Sequence, residues 1–203
     1  MEKLLAEAFA ADPRVAKARK LVLEALHDHQ AGLTGPRPPD AQRAEQYARL
    51  LGRFEELRAG RLYFPYLASG FGRGCLVELA DGSVKYDMIS GIGVHHFGHG
   101  APALLDAALG AALQDVVMLG NLQQGREPIH LAELLLRTAN RGGGRLAHCF
   151  FTTSGAMANE NALKIAFHAR RPAPRVLAFE GCFLGRTLTL AQITDKPGFR
   201  MGL

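Results

Sequence analysis

The sequence predicts an α/β protein, and three observations lead there. Arg145 to Ala166, RLAHCFFTTSGAMANENALKIA, reads as an apolar strand, a tight polar turn and a helix, and a second apolar run follows at Val176 to Phe179. Strand, helix, strand with a connection of that length calls for a right-handed crossover and a parallel sheet. Residues 1–60 instead repeat apolar positions at helical spacing, and from Leu62 the chain turns to short alternating segments broken by glycine.

In chain order, Leu4, Leu5, Ala8 and Phe9 mark a first helical stripe. Val15, Ala18, Val22, Ala25 and Leu26 mark a second, with Asp12 and Pro13 as cap and first turn between them. Gly32 to Asp40, GLTGPRPPD, is a Gly/Pro linker that interrupts any helix. Asp40 then caps a third helix, with Ala44, Tyr47, Leu51, Phe54 and Leu57 on its stripe and Gly60 as its stop. Cys75 to Leu79 and Val84 to Ile89 flank Ala80, Asp81, Gly82 and Ser83, a hairpin signal because Asp-Gly tolerates the positive φ of a tight turn. Ser90 to Gly100, SGIGVHHFGHG, is glycine-rich enough for close approach to a ligand or partner chain. Pro102 to Gln114 reads as a helix with Leu104, Leu105, Ala108, Leu109 and Ala112 inward. Further on, a helix is expected to bury Ile129, Ala132, Leu135, Leu136 and Ala139.

The strongest chemical signal is the turn after Leu146 to Phe151, a run suited to a strand buried on both faces. Thr152, Thr153, Ser154 and Gly155 break it, and the composition of Ala156 to Ala169 favours helix. Such a turn aims unpaired N–H groups and hydroxyls at one spot, at the positive end of a helix dipole, where an anion such as phosphate fits. Ser154 is equally suited to be an ordinary N-cap. Gly155 suits close backbone approach, and Glu160 and Lys164 stand four apart, as a helix-supporting ion pair does.

With 203 residues, 48% of them hydrophobic and 21% charged, the chain can bury an ordinary core and is not disordered in composition. Its formal charge of +5 comes from scattered arginines with no basic run interleaved with aromatics, so no nucleic-acid partner is expected. Cys75, Cys149 and Cys182 form no CxxC pair and fit a reducing cytoplasm. The N-terminus, MEKLLAEAFAADPR, is not a secretory signal, and no apolar run reaches the roughly 20 residues that cross a bilayer. His95, His96 and His99 offer three imidazoles, but no carboxylate or thiolate joins them at ligand spacing and no metal is assigned.

Three stretches in order carry a resemblance: YDMISGIGVHHFGHGAPALLDA from Tyr86, TTSGAMANENALKIA from Thr152 and FEGCFLGRT from Phe179. Together they resemble class III pyridoxal-phosphate-dependent aminotransferases, the acetylornithine, ornithine and 4-aminobutyrate group, over roughly Ser69 to Leu203. The resemblance implies part of a fold-type I large domain, with a parallel or mixed sheet and helices, preceded by a helical N-terminal region and a small β-ribbon. It divides the chain into a helical extension (1–60), a ribbon and entrance-loop segment (61–100) and the first part of the cofactor-binding large domain (101–203). It implies pyridoxal 5′-phosphate as cofactor, its phosphate held by Ser154, Gly155 and Ala156, the last two through backbone N–H groups. Phe183 would stack on the ring and Glu160 would support the cofactor. The implied reaction moves an amino group from an ω-amine or amino acid to a 2-oxo acid, in a cytoplasmic homodimer without membrane or nucleic-acid partners. Asn121 to Glu127 would lie near the dimer interface. The helices at the N-terminus lengthen the chain beyond the acetylornithine-type pattern, which leans toward a diamine or other ω-amino substrate.

In the family the acid paired with the pyridine nitrogen and the Schiff-base lysine follow in later segments. Lys85 in the hairpin, Lys164 in a helix and Lys196 before a proline match neither motif. No catalytic residue is therefore assigned, and the chain is expected to be a truncated N-terminal half, inactive alone. Two departures touch fine tuning and substrate subclass: Leu184 stands where the family usually has His, and Met157 where it usually has Glu. Cys182 has no base beside it and reads as a loop thiol. The competing expectation is a non-catalytic module that binds a phosphorylated ligand at the Ser154 turn, or a partner through the N-terminal helices.

Overall fold

The computed structural model describes residues 4–114, 125–170 and 175–203. The chain is α/β and divides into two compact units, Met1–Val116 and Val117–Leu203.

The first unit opens with α1 (Leu5–Ala10) and α2 (Pro13–Gln30). They meet where the sequence predicts, since Asp12 Oδ1 accepts from Arg14 N at 2.8 Å and Pro13 occupies the first turn, where its missing N–H costs nothing. Asp40 accepts from Gln42 N at 2.9 Å and caps a 3₁₀ turn, Ala41–Arg43, that leads into α3 (Ala44–Leu57). The left-handed residue that ends α3 is Ala59, with φ of 55°, one position before the expected Gly60.

The covered helix faces differ from the predicted stripes. On α2 the half-buried or buried positions are Val15, Arg19, Leu23, Leu26 and Gln30, while Ala18, Val22 and Ala25 are exposed. Polar partners set this rotation. Arg19 pairs with Asp106 at 2.7 Å, and Gln30 Nε2 donates to Gly72 O at 2.8 Å and Gly100 O at 2.9 Å. Leu4, Leu5 and Phe9 on the first stripe, and Phe54 and Leu57 on the third, are also exposed.

Strands β1 (Ala68–Arg73), β2 (Leu76–Leu79) and β3 (Val84–Tyr86) form an antiparallel ribbon in that order. The predicted hairpin joins β2 and β3 in the register Leu76↔Tyr86, Val77↔Lys85, Glu78↔Val84. Asp81 Oδ1 accepts from Ser83 N at 2.8 Å, and Gly82 takes the positive φ of 79°. The segment read as a linker is built into this ribbon. Arg37 and Val84 exchange backbone hydrogen bonds at 3.1 Å, and Leu33 is buried with Leu76 and Val84 against Phe71.

After β3, α4 (Ser90–Gly93) is a single turn in which Ser90, Gly91 and Ile92 have φ of 53°, 58° and 57°. The glycine-rich loop then folds back on β1 and pairs Gly74 with His99. A Cβ on Gly72 would lie 2.6 Å from His99 Cβ, so only glycine permits the approach. Helix α5 (Pro102–Ala112) follows, with Leu105 and Leu109 half-buried but Leu104, Ala108 and Ala112 exposed.

The second unit holds α6 (Glu127–Ala139), a 3₁₀ turn at Asn140–Gly142, α7 (Gly155–Ala169), α8 (Leu188–Ile193) and α9 (Pro197–Arg200). Helix α7 and the turn before it fall where the sequence puts them. The flanking runs Leu146 to Phe151 and Val176 to Phe179 belong to no sheet, so the expected parallel pair is not formed among the described residues. A strand exists only with a hydrogen-bonded neighbour, and the described residues supply none to either run. Their apolar side chains stay exposed, Phe150 at 74% and Leu177 at 97%. On α6 the predicted stripe is likewise open, with Ala132 and Leu136 half-buried and Ile129, Leu135 and Ala139 exposed. The expected helix end at 171–174 and most of the expected interface segment, 121–124, lie outside the described residues.

Candidate functional site

Helix α7 starts at a cap. Ser154 is extended, its Oγ accepts from Met157 N at 3.2 Å, and its carbonyl accepts from Ala158 N at 2.9 Å. Thr152 Oγ1 donates to that same carbonyl at 3.0 Å. The N–H groups of Gly155 and Ala156 find no acceptor among the described residues. The Ser154 hydroxyl, having accepted one bond, keeps its proton to donate. Space in front of Gly155 is open, since a Cβ there would meet nothing within 4 Å. Two N–H donors, one O–H donor and the positive end of a 15-residue helix thus converge on free volume.

The second predicted stretch, Phe179 to Thr187, is fastened to this helix. Thr187 Oγ1 donates to the Glu160 carboxylate, and Asn159 Nδ2 donates to Leu184 O at 2.7 Å. Gly185, with φ of 146°, presses so near the helix start that a Cβ on it would lie 2.9 Å from Ala156 Cβ. Ser154, Gly155, Ala156, Glu160 and the loop are therefore brought together. Phe183 is exposed and meets Phe199 edge to face, with centroids 5.9 Å apart. Glu160 spends its carboxylate on Thr187 in place of the ion pair with Lys164 that spacing suggested.

The remaining candidates take ordinary roles. Cys182 Sγ donates to Ile193 O at 3.4 Å, Lys196 precedes α9 as its N-cap, and Lys85 lies 5.7 Å from the Tyr66 ring centroid. Among the described residues no three His, Cys, Asp or Glu side chains are grouped to hold a metal. His99 Nε2 instead lies 2.7 Å from Asp87 Oδ2, and the His95 ring is 4.1 Å from the His99 ring. The His99 hydrogen bond, then the N–H groups of Ile89 and Ser90, hold the Asp87 carboxyl down at about 2. Sequence reading missed Asp87, which lies twelve positions from its partner, and likewise Asn159 and Thr194.

The class-III aminotransferase family matches residues 64–203, and the chain belongs to that family. Acetylornithine aminotransferase of Streptomyces coelicolor is 36% identical over 127 residues, which is 63% of this chain and 30% of that protein. The Mycolicibacterium smegmatis acetylornithine aminotransferase is 33% identical over 148 residues, 73% of this chain and 36% of that protein. Among solved structures, a thermostable omega transaminase variant engineered for asymmetric synthesis of bulky amines superposes with a TM-score of 0.61. It is 22% identical, and the match covers 74% of this chain and 33% of that one, a likeness of fold. The chain thus spans about a third of the length of the curated relatives it matches. Among the described residues no helix is long and apolar enough to cross a membrane.

Proposed function

We propose that this chain supplies the phosphate-holding part of a pyridoxal 5′-phosphate-dependent aminotransferase that transfers an amino group from an ω-amine or amino acid to a 2-oxo acid. The observation that supports it most is the junction of two separate stretches at one helix start: Gly185 against Ala156, Asn159 on Leu184, Glu160 on Thr187. The residues present fit the cofactor. Its phosphate ester needs donors and room, and Ser154 Oγ with the N–H groups of Gly155 and Ala156 offers both.

When bound, the cofactor supplies an electron sink for the charge left at the substrate carbon that loses its proton. The chain's own residues would hold and orient it. Ser154, Gly155 and Ala156 grip the phosphate, the α7 dipole favours its charge, and Phe183 covers one ring face. Glu160 keeps the loop in place through Thr187. The same proposal includes a homodimer in a reducing cytoplasm, supported by the exposed apolar runs and by three free cysteines. It also keeps the division at 1–60, 61–100 and 101–203.

Titration with pyridoxamine 5′-phosphate, which cannot condense with lysine, and with pyridoxamine as control tests the site. Binding that depends on the phosphate and weakens in Ser154→Ala supports it, and equal binding of both compounds overturns it. Amino transfer is read as conversion of a 2-oxo acid to its amino acid by the native protein with an ω-amine donor. Failure with every amine and amino-acid donor would sink that part.

A further inference from the structure

We propose that Thr194 is the positioning residue for the loop that carries Phe183, an inference that rests on the cofactor reading of the α7 turn. Thr194 is fully buried, with no exposed surface. Its Oγ1 accepts from Leu184 N at 3.0 Å and Gly185 N at 3.3 Å, and donates to Gly185 O at 3.0 Å. One donor and two lone pairs are thereby all used, each on the same two-residue turn.

Its neighbours extend the template. Asp195 N donates to Cys182 O at 2.9 Å, Asp195 Oδ2 accepts from Gly181 N at 2.7 Å, and Ile193 O accepts the Cys182 thiol. Residues 193–195 therefore line the backbone of 181–185 almost residue by residue. They are themselves held. Thr194 N closes α8 on Leu190 O at 2.8 Å, and Thr194 O accepts from Arg200 Nε and Nη2 at 3.1 and 2.9 Å.

The loop needs such a template because it is conformationally loose by composition. Gly181 and Gly185 both have positive φ, 71° and 146°, and glycine loses more freedom on ordering than any other residue. On its other side the loop lies on α7, through Asn159 and through the contact of Gly185 with Ala156. Thr194 thus fixes how far Gly185 stands from the two free N–H groups. It also pins the backbone just after Phe183, while Asp195 holds Cys182 O and Gly181 N before it, and the Phe183 ring stays exposed. A valine of the same shape would leave Leu184 N–H and both Gly185 backbone groups without partners in a buried place.

The test compares wild type, Thr194→Val and Thr194→Ser in the full chain, by hydrogen exchange at the Leu184 and Gly185 amides and by pyridoxamine 5′-phosphate affinity. Thr194→Val is expected to speed exchange at those two amides and to weaken binding about tenfold or more, as the loss of a net hydrogen bond or two implies. Exchange in the β1–β3 ribbon stays unchanged, and Thr194→Ser, which keeps the hydroxyl, stays near wild type in both readouts. Wild-type affinity or wild-type exchange in Thr194→Val overturns the proposal. Should Thr194→Val not fold, Thr194→Ala removes the same hydroxyl without placing a methyl against the Leu184 and Gly185 backbone, and wild-type exchange or affinity there overturns the proposal equally. Wild type that binds without regard to the phosphate defeats the cofactor reading instead, and the exchange pattern still decides whether Thr194 sets the loop.

Discussion

The Thr187 hydroxyl gives its proton to the Glu160 carboxylate and accepts from Leu190 N at 3.2 Å, so one side chain caps α8 and fastens it to α7. A hydrogen bond to a charged group contributes about 1.5–3 kcal/mol and an N-cap about 1 kcal/mol. Glu160→Ala is expected to lose about 1.5–3 kcal/mol in denaturant unfolding, and Glu160→Gln less, because an amide oxygen still accepts. Combining Glu160→Ala with Thr187→Val should cost less than the sum of the two. Full additivity would mean that the two groups do not act on each other.

A second prediction concerns acid. The Asp87 carboxyl, held at about 2 against an ordinary 3.8, favours the folded ribbon unit while ionised. Because the folded value lies below the unfolded one, this contribution is complete above about 3.8 and is lost as pH falls toward 2. Wild type should exceed Asp87→Asn in stability near neutrality, and the gap should close across that window in an acid unfolding series. A gap that does not change with pH would contradict the assignment.

Local physics made much of this legible in the sequence. The caps at Asp12, Asp40 and Ser154, the Asp-Gly hairpin and the helix after the Ser154 turn depend on neighbours within four residues, which the sequence displays. The site turn was legible for the same reason. What packs on what was not, because it depends on partners far along the chain. Arg19 faces inward only because Asp106 waits 87 positions later, and the Gly32 to Asp40 segment is tied down, with Leu33 in the core, only because β3 offers Arg37 an edge. The Leu146 and Val176 runs have strand composition, but composition cannot supply the neighbouring strand. Thr194 stands outside every motif, and nothing in its spacing announces a role as template.

Ser83 gives a third test. Its side chain is fully buried, and its Oγ is the buried polar side-chain atom without a partner among the described residues. Ser83→Ala removes a hydroxyl that was desolvated without compensation, and the Asp81 contact survives because it uses the Ser83 backbone N–H. Stability should be unchanged or higher by up to about 1 kcal/mol in thermal unfolding. A loss of that size would show that the hydroxyl has a partner after all.

The end of α3 offers the last. Ala59 N donates to Glu56 O and Gly60 N to Glu55 O, both at 3.0 Å, which closes the helix through a left-handed residue. That residue carries a Cβ, and φ of 55° brings the Cβ toward the following carbonyl, a cost of roughly 1 kcal/mol for anything but glycine. Ala59→Gly removes the clash but frees the unfolded chain, so the net gain should be about 0.5 kcal/mol. Ala59→Val should act in the opposite direction by more, since a β-branched residue tolerates this region least. Thermal unfolding of the pair reads both effects, and a valine variant as stable as the glycine one would mean that the helix ends elsewhere.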